Sequence, residues 1–225
     1  MPSWFILVPG ACHGGWHFDP LAEALRRAGH TADPVTLTGL LPGTNLACGG
    51  AINLDTHIAD VAALLATRDE PAVLVGHSYA GSVITGVADR HPDRVAGLLY
   101  IDAFVPRDGD SCWTMTNDEQ REWYRTGCRR TGLGVDPLPF FDERAVAQPL
   151  GTLLQASRLT GAYEQIPCKH YVLATGSEWM PHSPFVPVAA RLRGQPGWQV
   201  TDLNCGHNVV GYAPDELLRL VLGMV

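Results

Sequence analysis

No apolar run in this chain approaches the roughly 20 residues that a bilayer-spanning helix requires, so no membrane partner is expected. Positive charge is scarce as well: 16 Lys and Arg stand against 23 Asp and Glu, a formal net charge of −7 at pH 7. A phosphate backbone would be repelled by that balance, and no nucleic-acid partner is expected. Charged residues make up only 17% of the chain and hydrophobic ones 46%. That composition excludes a disordered protein and allows a large core. No basic and apolar leader precedes the first strand, and a cytoplasmic location is the expectation. Cysteine is present but lacks any metal or disulfide pattern. The six, Cys12, Cys48, Cys112, Cys128, Cys168 and Cys205, form no C-x-x-C pair. Neither a metal site nor a disulfide framework is expected. Most read as small buried hydrophobes, while Cys12 and Cys205 fall near the residues singled out below, where thiol reagents could reach them.

What is present is an alternation of short apolar, β-branched runs with amphipathic stretches. At 225 residues the chain suits one ordinary domain. Strands are predicted at 4–8, 30–36, 72–75, 95–101, 171–174 and 198–203, and helices at 17–28, 55–67, 79–90, 187–192 and 214–222. Asn53, Leu54, Asp55 and Thr56 supply the capping residues of the second helix. Six strands alternating with helices imply an open, mostly parallel sheet covered on both faces, because parallel neighbours need crossover connections. Residues 1–103 and 167–225 carry this core. Residues 104–166 interrupt it with Trp113, Trp123, Tyr124, Phe140 and Phe141 among charges, and with helical periodicity over 118–129 and 143–158. Inserted after a strand, such a segment is placed to act as a helical lid over the carboxyl-terminal edge, where open α/β sheets bind ligands.

The densest signal is Gly76-His77-Ser78-Tyr79-Ala80-Gly81, where an apolar strand runs into a helix through a Gly-x-Ser corner. A sharp corner with small neighbours lifts a serine hydroxyl out of the fold. The position two after the serine is Ala80, with the glycine displaced to Gly81. A lone serine is a weak nucleophile and needs a base, an orienting acid and an anion site. Of nine histidines, His207 follows the last strand in a Cys-Gly-His loop on the same sheet edge as Ser78 and is the candidate base. His30, His91 and His170 read as surface or element-end residues, and His77 as a local packing neighbour. Asp102 closes the strand after the corner and is the favoured acid, while Glu178 follows the next strand and occupies the alternative location. The glycine-rich loop Gly10-Ala11-Cys12-His13-Gly14-Gly15 follows the first strand. Its Ala11 amide, with that of Tyr79, would form an oxyanion hole. The spacing of Gly10, Gly14 and Gly15 does not make the G-x-G-x-x-G of a dinucleotide site. Gly10, Cys12, His13, Phe104, Trp113 and Trp123 are the expected substrate contacts.

Together with Leu37-Thr38-Gly39-Leu40, Leu54-Asp55-Thr56-His57-Ile58 and Tyr100-Ile101-Asp102-Ala103-Phe104, these blocks resemble the α/β-hydrolase superfamily. The similarity is to its branch of small bacterial esterases, plant methyl esterases and hydroxynitrile lyases. The resemblance implies an α/β-hydrolase fold, a serine–histidine–acid mechanism without a cofactor, and a small-molecule substrate. Hydroxynitrile lyases of this branch carry a threonine where Gly10 stands and a lysine where Asn208 stands. The resemblance therefore favours hydrolysis of a small, largely apolar carboxylic ester, lactone or thioester. Two alternatives stay open: non-hydrolytic tailoring chemistry on the same scaffold, and a silent ligand-binding homologue. The apolar insertion also leaves a homodimer open.

Overall fold

A computed structural model describes residues 2–48 and 50–225. In chain order the main elements are β1 (Trp4–Val8), α1 (Asp19–Arg27), β2 (Thr31–Pro34), α2 (Leu54–Leu65), β3 (Ala72–His77), α3 (Ala80–Arg90) and β4 (Val95–Ile101). They are followed by α4 (Cys112–Met115), α5 (Asp118–Gly127), β5 (Gly134–Val135), β6 (Gln148–Pro149) and α6 (Leu150–Leu154). The chain ends with β7 (Lys169–Ala174), α7 (Val186–Leu192), β8 (Trp198–Leu203), α8 (Val209–Tyr212) and α9 (Pro214–Leu222). Six of the strands form one sheet in the order β2-β1-β3-β4-β7-β8, with every neighbouring pair parallel. The expected six-stranded α/β-hydrolase sheet is therefore present.

Strand residues alternate between the two faces, and the core divides accordingly. Trp4, Ile6, Val8, Leu74, Leu98, Tyr100 and Tyr171 face one cluster with α2, α3 and α7. Phe5, Leu7, Val73, Val75, Leu99, Ile101 and Val172 face the other, closed by α1 and α9. Both faces being covered explains why these strands read as unbroken apolar runs. α2 starts on a reciprocal cap, the Asn53 side chain accepting from Thr56 N–H while the Thr56 hydroxyl accepts from Asn53 N–H. Parallel strands send all their following loops to one edge. Those after β1, β3, β4, β7 and β8 meet there, and they hold every residue of the candidate site.

The segment between β4 and β7 departs from the pattern reading. Helix α5 falls within the predicted 118–129, but no helix spans 143–158. Instead β6 pairs antiparallel with β5, and only Leu150–Leu154 is helical. Pro149 has no N–H to donate into a helix, and the Val146 amide is drawn to the Cys12 carbonyl at 2.9 Å. His170 is a second correction. It is buried within β7, with Nε2 2.9 Å from the Thr201 hydroxyl, rather than at an element end.

Candidate active site

Ser78 sits one residue beyond β3 at φ +55°, a left-handed backbone that L-residues adopt only when their surroundings enforce it. The enforcement is visible. Ser78 N–H donates to Ile101 O, extending the β3–β4 ladder, while the Ser78 carbonyl accepts from Gly81 and Phe104 amides. Small residues make the corner possible. A Cβ on Gly76 would lie 2.9 Å from the Ile84 side chain, and one on Gly81 would collide with the Phe104 carbonyl. That collision accounts for the displaced glycine: the position that must lack a side chain is 81, where α3 crosses the chain after β4, and buried Ala80 is tolerated.

The structure brings Ser78, His207 and Asp102 into one hydrogen-bonded line. His207 Nε2 lies 3.0 Å from Ser78 Oγ, and His207 Nδ1 lies 2.7 Å from Asp102 Oδ2. Asp102 is fully buried, so its carboxylate needs donors. It has three: His207 Nδ1–H, the Trp179 indole N–H on Oδ2 at 2.8 Å, and the Ala174 amide on Oδ1 at 3.1 Å. A carboxylate with these neighbours holds the imidazole proton on Nδ1, which leaves the Nε2 lone pair facing the serine hydroxyl. Glu178 is exposed and outside this line. Trp179, one residue further on, was not singled out from sequence. Besides bonding Asp102, its ring stacks on His207 at 4.7 Å between centroids, and Phe185 stacks there at 5.3 Å. Its only sequence signal was adjacency to Glu178.

The glycine-rich loop lies directly against Ser78: a Cβ on Gly10 would come within 3.1 Å of Ser78 Cβ and 2.9 Å of His77 Nδ1. Among the described residues, no protein acceptor takes the N–H of Ala11 or of Tyr79. Two such donors beside a serine hydroxyl can stabilise an oxygen anion. The Tyr79 ring is buried, and its hydroxyl donates to His57 Nδ1 at 2.9 Å while His57 Nε2–H donates to the Thr38 carbonyl at 2.8 Å. The Thr38 and His57 motifs thus converge on the residue after Ser78.

Four imidazoles crowd this edge. His77 Nε2–H donates to the His207 carbonyl at 2.9 Å, and His13 Nδ1–H donates to the Ala11 carbonyl at 2.7 Å. Burial pulls the pKa of His17 down to about 3 and lowers those of His13 and His77, the latter further by its imidazole neighbours. These rings therefore stay neutral and add no positive charge beside His207.

The expected substrate contacts divide. Phe104 is buried edge-on to Phe185 at 4.9 Å, one ring away from His207. His13 meets Phe141 at 5.0 Å, and Phe141 meets Trp123 at 6.0 Å, so His13 and Trp123 belong to one aromatic wall. Trp113 stands at the surface under the Arg121 guanidinium and beside Tyr124, whose ring in turn meets Trp123 at 5.2 Å. Cys12 is a correction. Its side chain is fully buried with Sγ 3.8 Å from the Val135 carbonyl, and burial pushes the thiol up to about 12, so it is shielded from thiol reagents. Only its backbone faces the loop's business. Among the described residues no group of three or more His, Cys, Asp or Glu converges to hold a metal ion.

A family model described as "Alpha/beta hydrolase family" matches residues 5–220. The chain belongs to the alpha/beta hydrolase family. Over 95% of its length this hydrolase is 37% identical to a carbendazim hydrolyzing esterase of Nocardioides sp. (strain SG-4G), covering 96% of that protein. It is 34% identical to esterase PIR7B of Oryza sativa subsp. japonica over 52% of this chain and 44% of that one. Its fold matches an extracellular alpha/beta-hydrolase from a Paenibacillus species with a TM-score of 0.82 at 23% identity, covering 99% of both chains. Among the described residues no helix is long and apolar enough to cross a membrane.

Proposed function

We propose that this hydrolase cleaves small, largely apolar carboxylic esters through an acyl-serine. The observation that carries the reading is the Asp102–His207–Ser78 line, 2.7 and 3.0 Å, with the unprotonated Nε2 directed at the hydroxyl. In this reading His207 takes the Ser78 proton as Oγ attacks the ester carbonyl, and the Ala11 and Tyr79 amides receive the developing oxyanion. His207 then returns the proton to the departing alcohol. Water, deprotonated by the same nitrogen, attacks the acyl-serine, and as the Oγ–acyl bond breaks His207 returns the proton to Ser78 Oγ and the acid leaves. Asp102 holds the tautomer and the imidazolium. The relatives named as esterases support ester hydrolysis as the reaction class.

The rings of Phe104, Phe185, Trp179, His13 and Phe141 around the line support an apolar or aromatic acyl or alcohol group. Residues 104–166 supply part of that wall, which supports reading them as a lid. Lyase chemistry is disfavoured on two points. There is no room for a side chain at Gly10, and the Asn208 side chain is turned to accept from the Gly211 amide as the cap of α8. Six unpaired cysteines, with Cys48 exposed, support a reducing, cytoplasmic compartment.

The test is intact mass after incubation with a fluorophosphonate, together with p-nitrophenyl acetate turnover, on native protein, Ser78→Ala and His207→Ala. Labelling by one equivalent and turnover that both vanish in Ser78→Ala are expected. Undiminished turnover in that variant would refute the acyl-serine.

A further inference from the structure

We propose that Gln148, on the segment between β4 and β7, is a positioning residue for the oxyanion loop, holding the Ala11–Cys12 peptide in the orientation that keeps the turn bearing the Ala11 amide in its type II form. The inference rests on the acyl-transfer reading above and deepens it.

The loop is a β-turn with an uncomfortable residue in it. His13 N–H donates to the Gly10 carbonyl at 3.3 Å, so Gly10 to His13 form the four positions of the turn, and Cys12 at the third has φ +69°. A positive φ at that position defines a type II turn, which ordinarily asks for glycine or asparagine there. A cysteine would relax by flipping the central peptide to the type I form, where its φ is negative. The two angles that change in such a flip are ψ of Ala11 and φ of Cys12. The Ala11 N–H lies in the preceding Gly10–Ala11 peptide, which shares the Ala11 Cα with the peptide that turns, so the flip acts on the shape of the turn that carries the donor and on where the Ala11 carbonyl points.

The central peptide is held at both poles. Its carbonyl, Ala11 O, accepts from His13 Nδ1–H at 2.7 Å, and its N–H, that of Cys12, donates to Gln148 Oε1 at 2.9 Å. The Cys12 carbonyl accepts from Val146 N–H. Gln148 has no freedom to turn its amide round. Its side chain is fully buried, and its Nε2 lies 2.8 Å from Thr152 Oγ1. The single Thr152 hydroxyl proton is committed to the Pro149 carbonyl at 2.6 Å, so Thr152 can only accept from Gln148. That leaves Nε2 as donor to Thr152 and Oε1 as acceptor for Cys12. A chain of three side-chain and backbone groups from the inserted segment thus fixes the polarity of a bond on which the loop's conformation depends. The extended pair Gln148–Pro149, in place of the helix expected over 143–158, is what delivers this side chain to the turn.

The experiment measures kcat, KM and the inhibition constant of a trifluoromethyl ketone, which forms a tetrahedral adduct needing the oxyanion hole. It uses the full chain as native protein, Gln148→Met, Gln148→Glu and Thr152→Val, with Ser78→Ala as reference. Gln148→Met keeps the length and loses the acceptor. It is expected to lower kcat about 10- to 100-fold, less than the 10²–10³ for outright loss of an oxyanion donor, with KM within about threefold. The ketone's inhibition constant should rise by the same factor as kcat/KM falls, since both report transition-state binding. Gln148→Glu, whose buried carboxyl stays protonated and so can accept from Cys12 through one oxygen and donate to Thr152 through the other, is expected to return to within about threefold of native. Thr152→Val frees the amide to turn, and an intermediate loss is expected; it decides the matter if Gln148→Met does not fold. Native kcat and native ketone affinity in the folded Gln148→Met, or in Thr152→Val when Met does not fold, would overturn the assignment. So would a loss confined to KM. Retained turnover in Ser78→Ala would instead remove the acyl-transfer reading beneath it.

Discussion

Lowering the pH from 7 to 5 is expected to destabilise this protein steeply, because the fold holds several imidazoles neutral. His57 is the clearest case. It is fully buried, Nε2–H is spent on the Thr38 carbonyl, and Nδ1 accepts from the Tyr79 hydroxyl, so a second proton would arrive where a donor already points. Burial accordingly pulls its pKa from 6.5 down to about 4. A folded-state pKa below the unfolded value means that the unfolded chain binds more protons. The stabilisation is then complete above about pH 6.5 and is lost as the pH falls toward 4. At pH 5 the unfolded imidazole is almost wholly charged and the folded one still neutral, a loss of about 2 kcal/mol, levelling near 3 kcal/mol below pH 4. His17, pulled to about 3 by burial, adds a comparable loss over the same window, and His13 and His77 shift in the same direction. About 4 kcal/mol from two residues is a large share of a typical 5–15 kcal/mol.

Asp55 does not confound the window. It is held below its usual value of 3.8, chiefly by its bonds to Arg90, Gln155 and Arg158 working against desolvation, so its contribution is lost only at lower pH. Equilibrium urea unfolding, followed by tryptophan fluorescence at pH 7, 6, 5.5 and 5, gives the slope. Between pH 6 and 5 it should reach at least about 2 kcal/mol per pH unit. His57→Asn should be less stable at pH 7 yet show a slope flatter by nearly one proton, about 1.4 kcal/mol per pH unit. Stability that is level between pH 7 and 5 would refute the neutral-imidazole reasoning.

Asp102→Asn is expected to lower kcat by about 10³–10⁴-fold with little change in KM, by favouring the wrong tautomer of His207, whereas Glu178→Gln should stay within about twofold of native. Equal effects of the two in ester turnover would dismiss the assignment of the acid. Trp179→Phe keeps a ring on His207 but removes one of three donors to Asp102 and should reduce kcat about tenfold without unfolding the protein. Native kcat in that variant would show that the indole N–H does not matter. Gly81→Ala sets a methyl against the Phe104 carbonyl and should cost at least about 2 kcal/mol in urea unfolding. A change under about 0.5 kcal/mol there would contradict the close approach that explains the displaced glycine.

Several parts of the site were legible because their signals are local. A strand that ends in Gly76-His77-Ser78 and starts a helix at Ala80 announces its corner within eight residues, since apolar runs, small residues and helix periodicity are written along the chain. The helix expected over 143–158 failed because the Val146 amide and the Gln148 side chain bond to the turn at Cys12. That partner lies 136 residues away from Gln148 and leaves no trace in the segment's own spacing. His170 misled in the same way, as a polar residue whose partner, Thr201, lies on the neighbouring strand.

By itself the sequence determined the alternation of strands and helices, the strained serine corner, the Gly-His loop after the last strand and the glycine-rich loop after the first. These follow from backbone preference and hydrophobic period, which neighbours in the chain impose. Only the tertiary structure decided that Asp102 rather than Glu178 meets His207, that Trp179 completes the carboxylate's donors, and that Gln148 reaches the turn at Cys12. Those outcomes depend on which loops the parallel sheet brings to a common edge and on satisfying every buried donor and acceptor there, a condition that no local stretch of residues can express.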